Sequence, residues 1–199
     1  MTTTQCSPDT YQTVILECIE TCSKEIFEAP NDITLDSFFS LIDKHVKPLE
    51  SQLKIDDLSS TTIRAAIAWR CHDLILREEY QSKELKLENK WQIVSTFLFS
   101  LATLSRNFVV VERCTNDIVN LPVHTELVEK RLSFVKYIIT KVEKECSLVP
   151  ATSNFLRKLT FKRKVRTYIL KLGVTVVAAL LVSKFIISPI ITFIIKYFK

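Results

Sequence analysis

Apolar residues recur at three- and four-residue intervals along most of this chain, the spacing that gathers side chains on one face of an α-helix. Tyr11, Ile15, Cys18, Cys22 and Ile26 form the first stripe; Ser7-Pro8-Asp9 ahead of it supplies a cap and a first-turn proline, and Ala29-Pro30 ends it. Leu35, Phe38, Phe39, Ile42 and Val46 predict a second helix over about 33–47, closed by Pro48. The polar run LKIDDLSSTT reads as a loop, after which Ile63, Ile67, Cys71 and Leu74 line a helix of about 62–81. Arg64, Arg77, Glu78 and Glu79 on that helix read as a solvated face. Residues 107–120 contain the β-branched run Val109-Val110-Val111, but their helical neighbours favour a short helix. Val128, Leu132, Val135, Ile139 and Val142 predict an amphipathic helix over about 124–146.

One stretch departs from this amphipathic pattern. ENKWQIVSTFLFSLATL, residues 88–104, continues from Trp91 to Ser105 without a charge. Asn89 followed by Gln92 has the spacing of a helix start at Lys90, with Asn89 accepting backbone N–H bonds and Gln92 reaching back. Ile93, Val94, Phe97, Leu98, Phe99, Leu101, Ala102 and Leu104 then cover nearly the whole circumference, a pattern suited to a helix enclosed by others. The expected fold is therefore an all-α bundle around this central helix.

Composition narrows the function. Gly occurs once, at Gly173, so phosphate-cradling loops, dinucleotide fingerprints and the nucleophile elbow cannot be written. No enzyme is expected, and no cofactor. Charge divides the chain: residues 146–199 hold ten Lys/Arg and no Asp/Glu, leaving 17 basic against 22 acidic residues before them. The company of those basic residues is hydrophobic, with LGVTVVAALLVS and FIISPIITFII separated by Lys184, so the expected partner is membrane lipid rather than nucleic acid.

Leu172 to Ile195 is long enough as a helix to cross a hydrocarbon core of roughly 30 Å. Lys184 near its middle costs roughly 2.5–3.5 kcal/mol, which the surrounding Ile, Val, Leu and Phe offset. A hairpin dipping into the bilayer would want Gly or Pro at its turn, and Pro189 lies too far along. With no apolar N-terminal signal, the chain reads as a tail-anchored protein: a helical domain over 1–148, a basic linker over 149–171 and an anchor over 172–195. Arg163, Lys164, Arg166 and Lys171 precede the span, and Lys196 and Lys199 follow it. Basic residues on both sides resemble mitochondrial outer-membrane anchors, while the endoplasmic reticulum would also suit a basic linker beside anionic headgroups.

The six cysteines include Cys18 and Cys22 one helical turn apart, and Cys71 adjoins His72, but the paired spacings of a zinc site are missing. Small buried helix residues account for them better, and no metal is expected.

NKWQIVSTFLFS at the head of the central helix resembles the first homology motif of the Bcl-2 family, which opens Asn-Trp-Gly-Arg and continues with Ile/Val and two Phe. Asn89, Ile93, Val94, Phe97 and Phe99 match it in register. The order of elements, with amphipathic helices before, a hairpin partner after and an apolar tail, is similar as well. Trp91 stands where Gly is expected, Gln92 replaces Arg, and no Trp after Trp91 marks the second homology motif. Such drift looks most like the divergent members carried by large DNA viruses.

The resemblance implies binding. Members of that family hold an amphipathic death-ligand helix in a surface groove, anchored through apolar residues at i, i+3/i+4 and i+7. Here it implies a floor of Phe38, Leu41, Ile67, Leu74, Trp91, Val94 and Phe97, with Asn89 and Gln92 at the polar end. A neutral Gln92 cannot form the bidentate charged pair that Arg gives a ligand carboxylate, so altered selectivity is expected. The implied partners are pro-apoptotic family proteins and their death-ligand helices, with no nucleic acid and no small-molecule substrate. Neither FFSLIDKHV nor AWRCHDLI supplies the third homology helix of a pro-death member, which favours an anti-apoptotic regulator. A pro-apoptotic member stays open, as does an unrelated tail-anchored adaptor or tether.

Overall fold

A computed structural model describes residues 8–182 of the chain, in which seven α-helices and no strand occur. They are α1 (Pro8–Glu28), α2 (Leu35–Leu53), α3 (Asp57–Ser82), α4 (Glu88–Leu104), α5 (Phe108–Val119), α6 (Thr125–Glu145) and α7 (Ala151–Val182). Helices α1 to α6 and the first turn of α7 form one compact unit; the described residues from Asn154 onward belong to another.

Scarce glycine shapes the joints. Helices commonly stop through a residue in the left-handed conformation, usually Gly. Here Lys54, Arg106 and Ser147 take that role at φ 52°, 51° and 51°. Each is followed by a residue whose N–H reaches back to the last helical turn: Ile55 to Glu50, Asn107 to Ala102 and Leu148 to Glu143, at 3.2, 2.8 and 2.8 Å. Lys83 at φ 58° ends α3. The helix starts are conventional where a short polar side chain is present. Thr34 accepts the N–H of Ser37 at 3.2 Å, Asp56 that of Ser59 at 2.7 Å and Asn107 that of Val110 at 3.2 Å.

Two boundaries differ from expectation. Pro48 lies inside α2 rather than closing it. A proline removes one N–H from the helical ladder, and the apolar stripe Phe38, Ile42, Val46 continues to buried Leu49, which holds the helix against its neighbours. The expected loop of 53–62 shrinks to three residues, because the Asp56 cap starts α3 at Asp57. The basic linker expected over 149–171 is helical from Ala151 as part of α7.

Helices α3 and α4 share the centre. α3 packs against α1, α2, α4 and α5, and α4 against α3, α5 and α6. Trp91, Val94, Ser95, Leu98, Phe99, Ala102 and Thr103 of α4 are buried, Ile93 and Phe97 are half-buried, and Leu104 is exposed. The enclosed helix is thus real, but α3 is an equal partner in the hub. On α3, Ile63, Ile67, Cys71 and Ile75 form the inward row, and Leu74 stands half out of it.

No helix among the described residues is long and apolar enough to cross a membrane. The expected span of 172–195 falls mostly outside them, together with Lys184, Lys196 and Lys199.

Candidate functional site

The residues assigned to a ligand groove fall into two environments. Phe38 and Phe39 of α2 meet Phe97 of α4 edge to face, with ring centroids 5.7 Å (Phe38–Phe97), 5.2 Å (Phe39–Phe97) and 5.7 Å (Phe38–Phe39) apart. Such T-shaped geometry sets the positive edge of one ring on the negative face of another. Phe38 is sealed, while Phe39 and Phe97 keep partial exposure, so the cluster has a closed base and an open rim. Leu41, Leu74 and Gln92 are also half-buried. Ile67 and Val94 have no exposed surface.

Trp91 belongs elsewhere. Its ring lies 5.6 Å from that of Phe134 on α6, and its indole N–H donates to His72 Nε2 on α3 at 3.3 Å. It therefore faces the α3–α6 side of the central helix, not the α2 side that holds Phe97. The guanidinium of Arg131 stacks on the same indole, 4.3 Å from its centroid. Arg131 also donates to both oxygens of Glu79, at 2.6 and 2.9 Å, and to Glu88 at 3.0 and 2.8 Å. Three helices are joined in this way by one arginine. Glu79, expected on a solvated face, is completely buried.

The polar end is also rearranged. α4 begins at Glu88 without a side-chain cap, rather than at Lys90 behind an Asn89 cap. Asn89 is exposed and donates to the carbonyls of Asn31 and Ile33 at 3.0 and 3.4 Å, which ties the α1–α2 connection to the start of α4. Gln92 donates to Glu88 at 3.1 Å rather than reaching back to the backbone. Lys90 is buried at the end of α1, donating to the carbonyls of Phe27, at 2.7 Å, and Ala29. A cation there complements both the unsatisfied carbonyls and the negative end of the helix dipole.

Burial pushes the thiols of Cys22, Cys71 and Cys114 up to about 12, so they remain protonated at neutral pH. Cys22 and Cys71 each point a thiol at a backbone carbonyl, Leu41 at 3.8 Å and Ser23 at 3.7 Å. Among the described residues, no group of His, Cys, Asp and Glu converges in the manner of a metal site.

A cavity of about 330 Å³ between α3 and α5 was not foreseen in the sequence. Trp69, Arg70, Asp73, Arg77, Arg113 and Asp117 line it, and Arg113 stacks on Trp69 at 5.2 Å. Arg70 is already held by Asp73 and Glu20, and Arg77 by Asp73. Desolvation raises the carboxyl of Asp117. Both signs of charge share the cavity.

On α7, Arg166 is exposed; of the other expected membrane-flanking residues, Arg163, Lys164 and Lys171 lie on the same helix. Comparisons of the chain with models of known families, with curated proteins and with solved structures find no match.

Proposed function

We propose that the chain is a non-catalytic helical binding module, tethered to the mitochondrial outer membrane by its apolar tail, that restrains cell death by capturing an amphipathic pro-death helix of the Bcl-2 type. The observation that carries this reading is the aromatic rim of Phe39 and Phe97 over sealed Phe38, at the junction of α2 and α4. An apolar ligand residue would replace ring-to-water contact there with ring-to-ring contact, and displacement of α2 would extend the contact toward Val94. Half-buried Gln92 lies on the same helix and can offer one hydrogen bond to a ligand carboxylate.

A second reading follows from the closure of the floor. Phe38, Ile67 and Val94 are sealed and Trp91 faces away, so a pre-formed deep groove is missing from this side of the bundle. A tethered adaptor that binds another cytosolic protein through exposed helix faces needs no such groove.

Fluorescence titration of residues 1–160 with labelled amphipathic death-ligand peptides separates the two. The first reading expects saturable binding that is lost in Phe39→Arg while helical content and melting are retained. Absence of binding by the folded domain, or equal binding by Phe39→Arg, leaves the adaptor.

A further inference from the structure

The second half of the basic stretch is organised as a surface, which a mere linker would not require. In α7, Phe161, Val165, Tyr168 and Leu172 follow one another at i, i+4, i+7 and i+11, which confines them to an arc of about 60° on a helix turning 100° per residue. All four are exposed, Phe161 at 68% and Tyr168 at 78%, although a soluble helix ordinarily buries such a stripe.

Basic residues border the stripe. Arg157 flanks it on one side, Lys158 and Lys162 on the other, with Arg166 farther round; all four are exposed. From Ala151 to Val182 the helix has no carboxylate to pair with them. Exposed Ile169 and Leu170 widen the apolar surface toward the tail, and ahead of them the stripe with lysine and arginine along its borders has the arrangement by which a helix lies in the plane of a membrane, rings among the acyl chains and cations among the phosphates.

Continuity with the apolar tail points the same way. Leu172 ends the stripe and begins the apolar run, and the next residue is the chain's single glycine, Gly173. Nothing lies within 4 Å of the position its Cβ would occupy. α7 runs unbroken through Gly173, and a glycine is a position at which a helix bends at low cost.

We infer that residues 157–172 form a membrane-surface helix selective for anionic phospholipid, lying with the Phe161–Val165–Tyr168–Leu172 face in the headgroup boundary. This rests on the membrane tether of the proposed function, and adds that the segment before the tether is itself a lipid-reading element. Each basic residue near an anionic leaflet adds attraction that salt screens.

The test uses the full-length chain in vesicles of phosphatidylcholine, with and without phosphatidylglycerol. Amide hydrogen exchange across 157–171 is the readout. Exchange should slow by roughly tenfold or more in the anionic vesicles at low salt, and the slowing should vanish in high salt or in neutral vesicles. The Phe161→Ser/Tyr168→Ser pair should remove it while leaving exchange in α1–α6 unchanged. Equal protection in neutral vesicles, or protection indifferent to the paired substitution, overturns the inference. So does slowing that appears without vesicles and grows with protein concentration, which would make the occupant a second copy of the chain. Flotation with neutral vesicles in high salt reports the tail anchor separately. Its loss would remove the tether, while exchange in anionic vesicles still decides the surface helix.

Discussion

Arg131 on α6 grips Glu79 on α3 through two parallel hydrogen bonds of 2.6 and 2.9 Å, and both side chains are withdrawn from solvent, 1% and 0% exposed. Glu88 at the start of α4 and the face of Trp91 complete the enclosure of the guanidinium. Desolvating such a pair consumes much of its mutual attraction, so its net contribution is small, but removing one partner strands the other.

Arg131→Met should therefore destabilise the domain by about 3–5 kcal/mol, because Glu79 is left in the core without its hydrogen-bonded counter-charge. Joint replacement of Arg131 and Glu79 by Met should recover much of that loss. Urea unfolding of the single and double variants checks both, and a double variant no more stable than Arg131→Met would show that the pair is not the source.

This pair also marks how far the sequence can be read. Apolar periodicity locates α1, α2, α3 and α6 except for details of their ends, because burial of one face is a local pattern, whereas the basic first half of α7 carries no such stripe against a neighbour and reads as a linker. Glu79 reads as solvated when judged from its charge alone. Its position at the end of the row Ile63, Ile67, Cys71, Ile75 is the contrary signal, and Arg131 sits likewise inside the row of Val128 and Val135. Two opposite charges on inward rows invite pairing, but their meeting across 52 residues is a tertiary fact. Lys90 next to Trp91 is similar: sequence shows a charge at the head of an apolar helix, and the end of α1 that it caps becomes apparent in the fold. Phe38 and Phe97, expected close together, do meet edge to face, whereas which side of α4 remains open depends on where α6 packs.

His72 should make the domain sensitive to mild acid. Burial first, and then the nearby Arg131 charge, lower its folded pKa from 6.5 to about 3, with Asp73 opposing. Below about pH 6.5 the unfolded chain takes up a proton that the folded chain refuses, so stability falls by ~1.4 kcal/mol per pH unit from this group until the folded pKa is reached. Above about pH 6.5 the effect is absent. Glu25, lowered by Lys44 and His45, and Asp43, lowered by Lys47 and Arg64, lose their stabilising contribution only as pH falls through the carboxylate range. Replacing His72 by Gln keeps an acceptor for the Trp91 indole and should flatten the stability profile between about pH 5 and 6.5. A variant profile parallel to that of the wild type in chemical denaturation would refute the assignment.

Glu143 should control the first turn of α7. Its Oε1 accepts the N–H groups of Thr152 and Ser153 at 2.7 and 3.1 Å, the donors that a capping side chain normally satisfies. Its other oxygen is buried without a hydrogen-bond partner. Glu143→Ala should cost ~1–2 kcal/mol and speed exchange at the amides of Thr152 and Ser153 more than elsewhere. Uniform loss of protection over α6 would indicate a packing defect instead of a lost cap.

Val94 provides the sharpest trial of the groove. It is completely buried on α4, about one and a half turns from the exposed Asn89 and about one turn before Phe97. If the bundle of α1 to α6 is the resting form, Val94→Arg drives a guanidinium into the buried core, and the domain should lose several kcal/mol and the sharpness of its melting transition. Phe97→Arg differs, because Phe97 is half-buried and a long side chain there can carry its charge into water along the rim. That variant should stay folded with a smaller loss, while peptide binding through the rim disappears. The pair of outcomes separates a closed core from an openable channel. A Val94→Arg protein that melts like the wild type would mean that α2 yields readily and that the channel toward Val94 is populated in the free protein. Unfolding by Val94→Arg, with Phe97→Arg folded and still binding peptides normally, would place any ligand on a different face of the bundle.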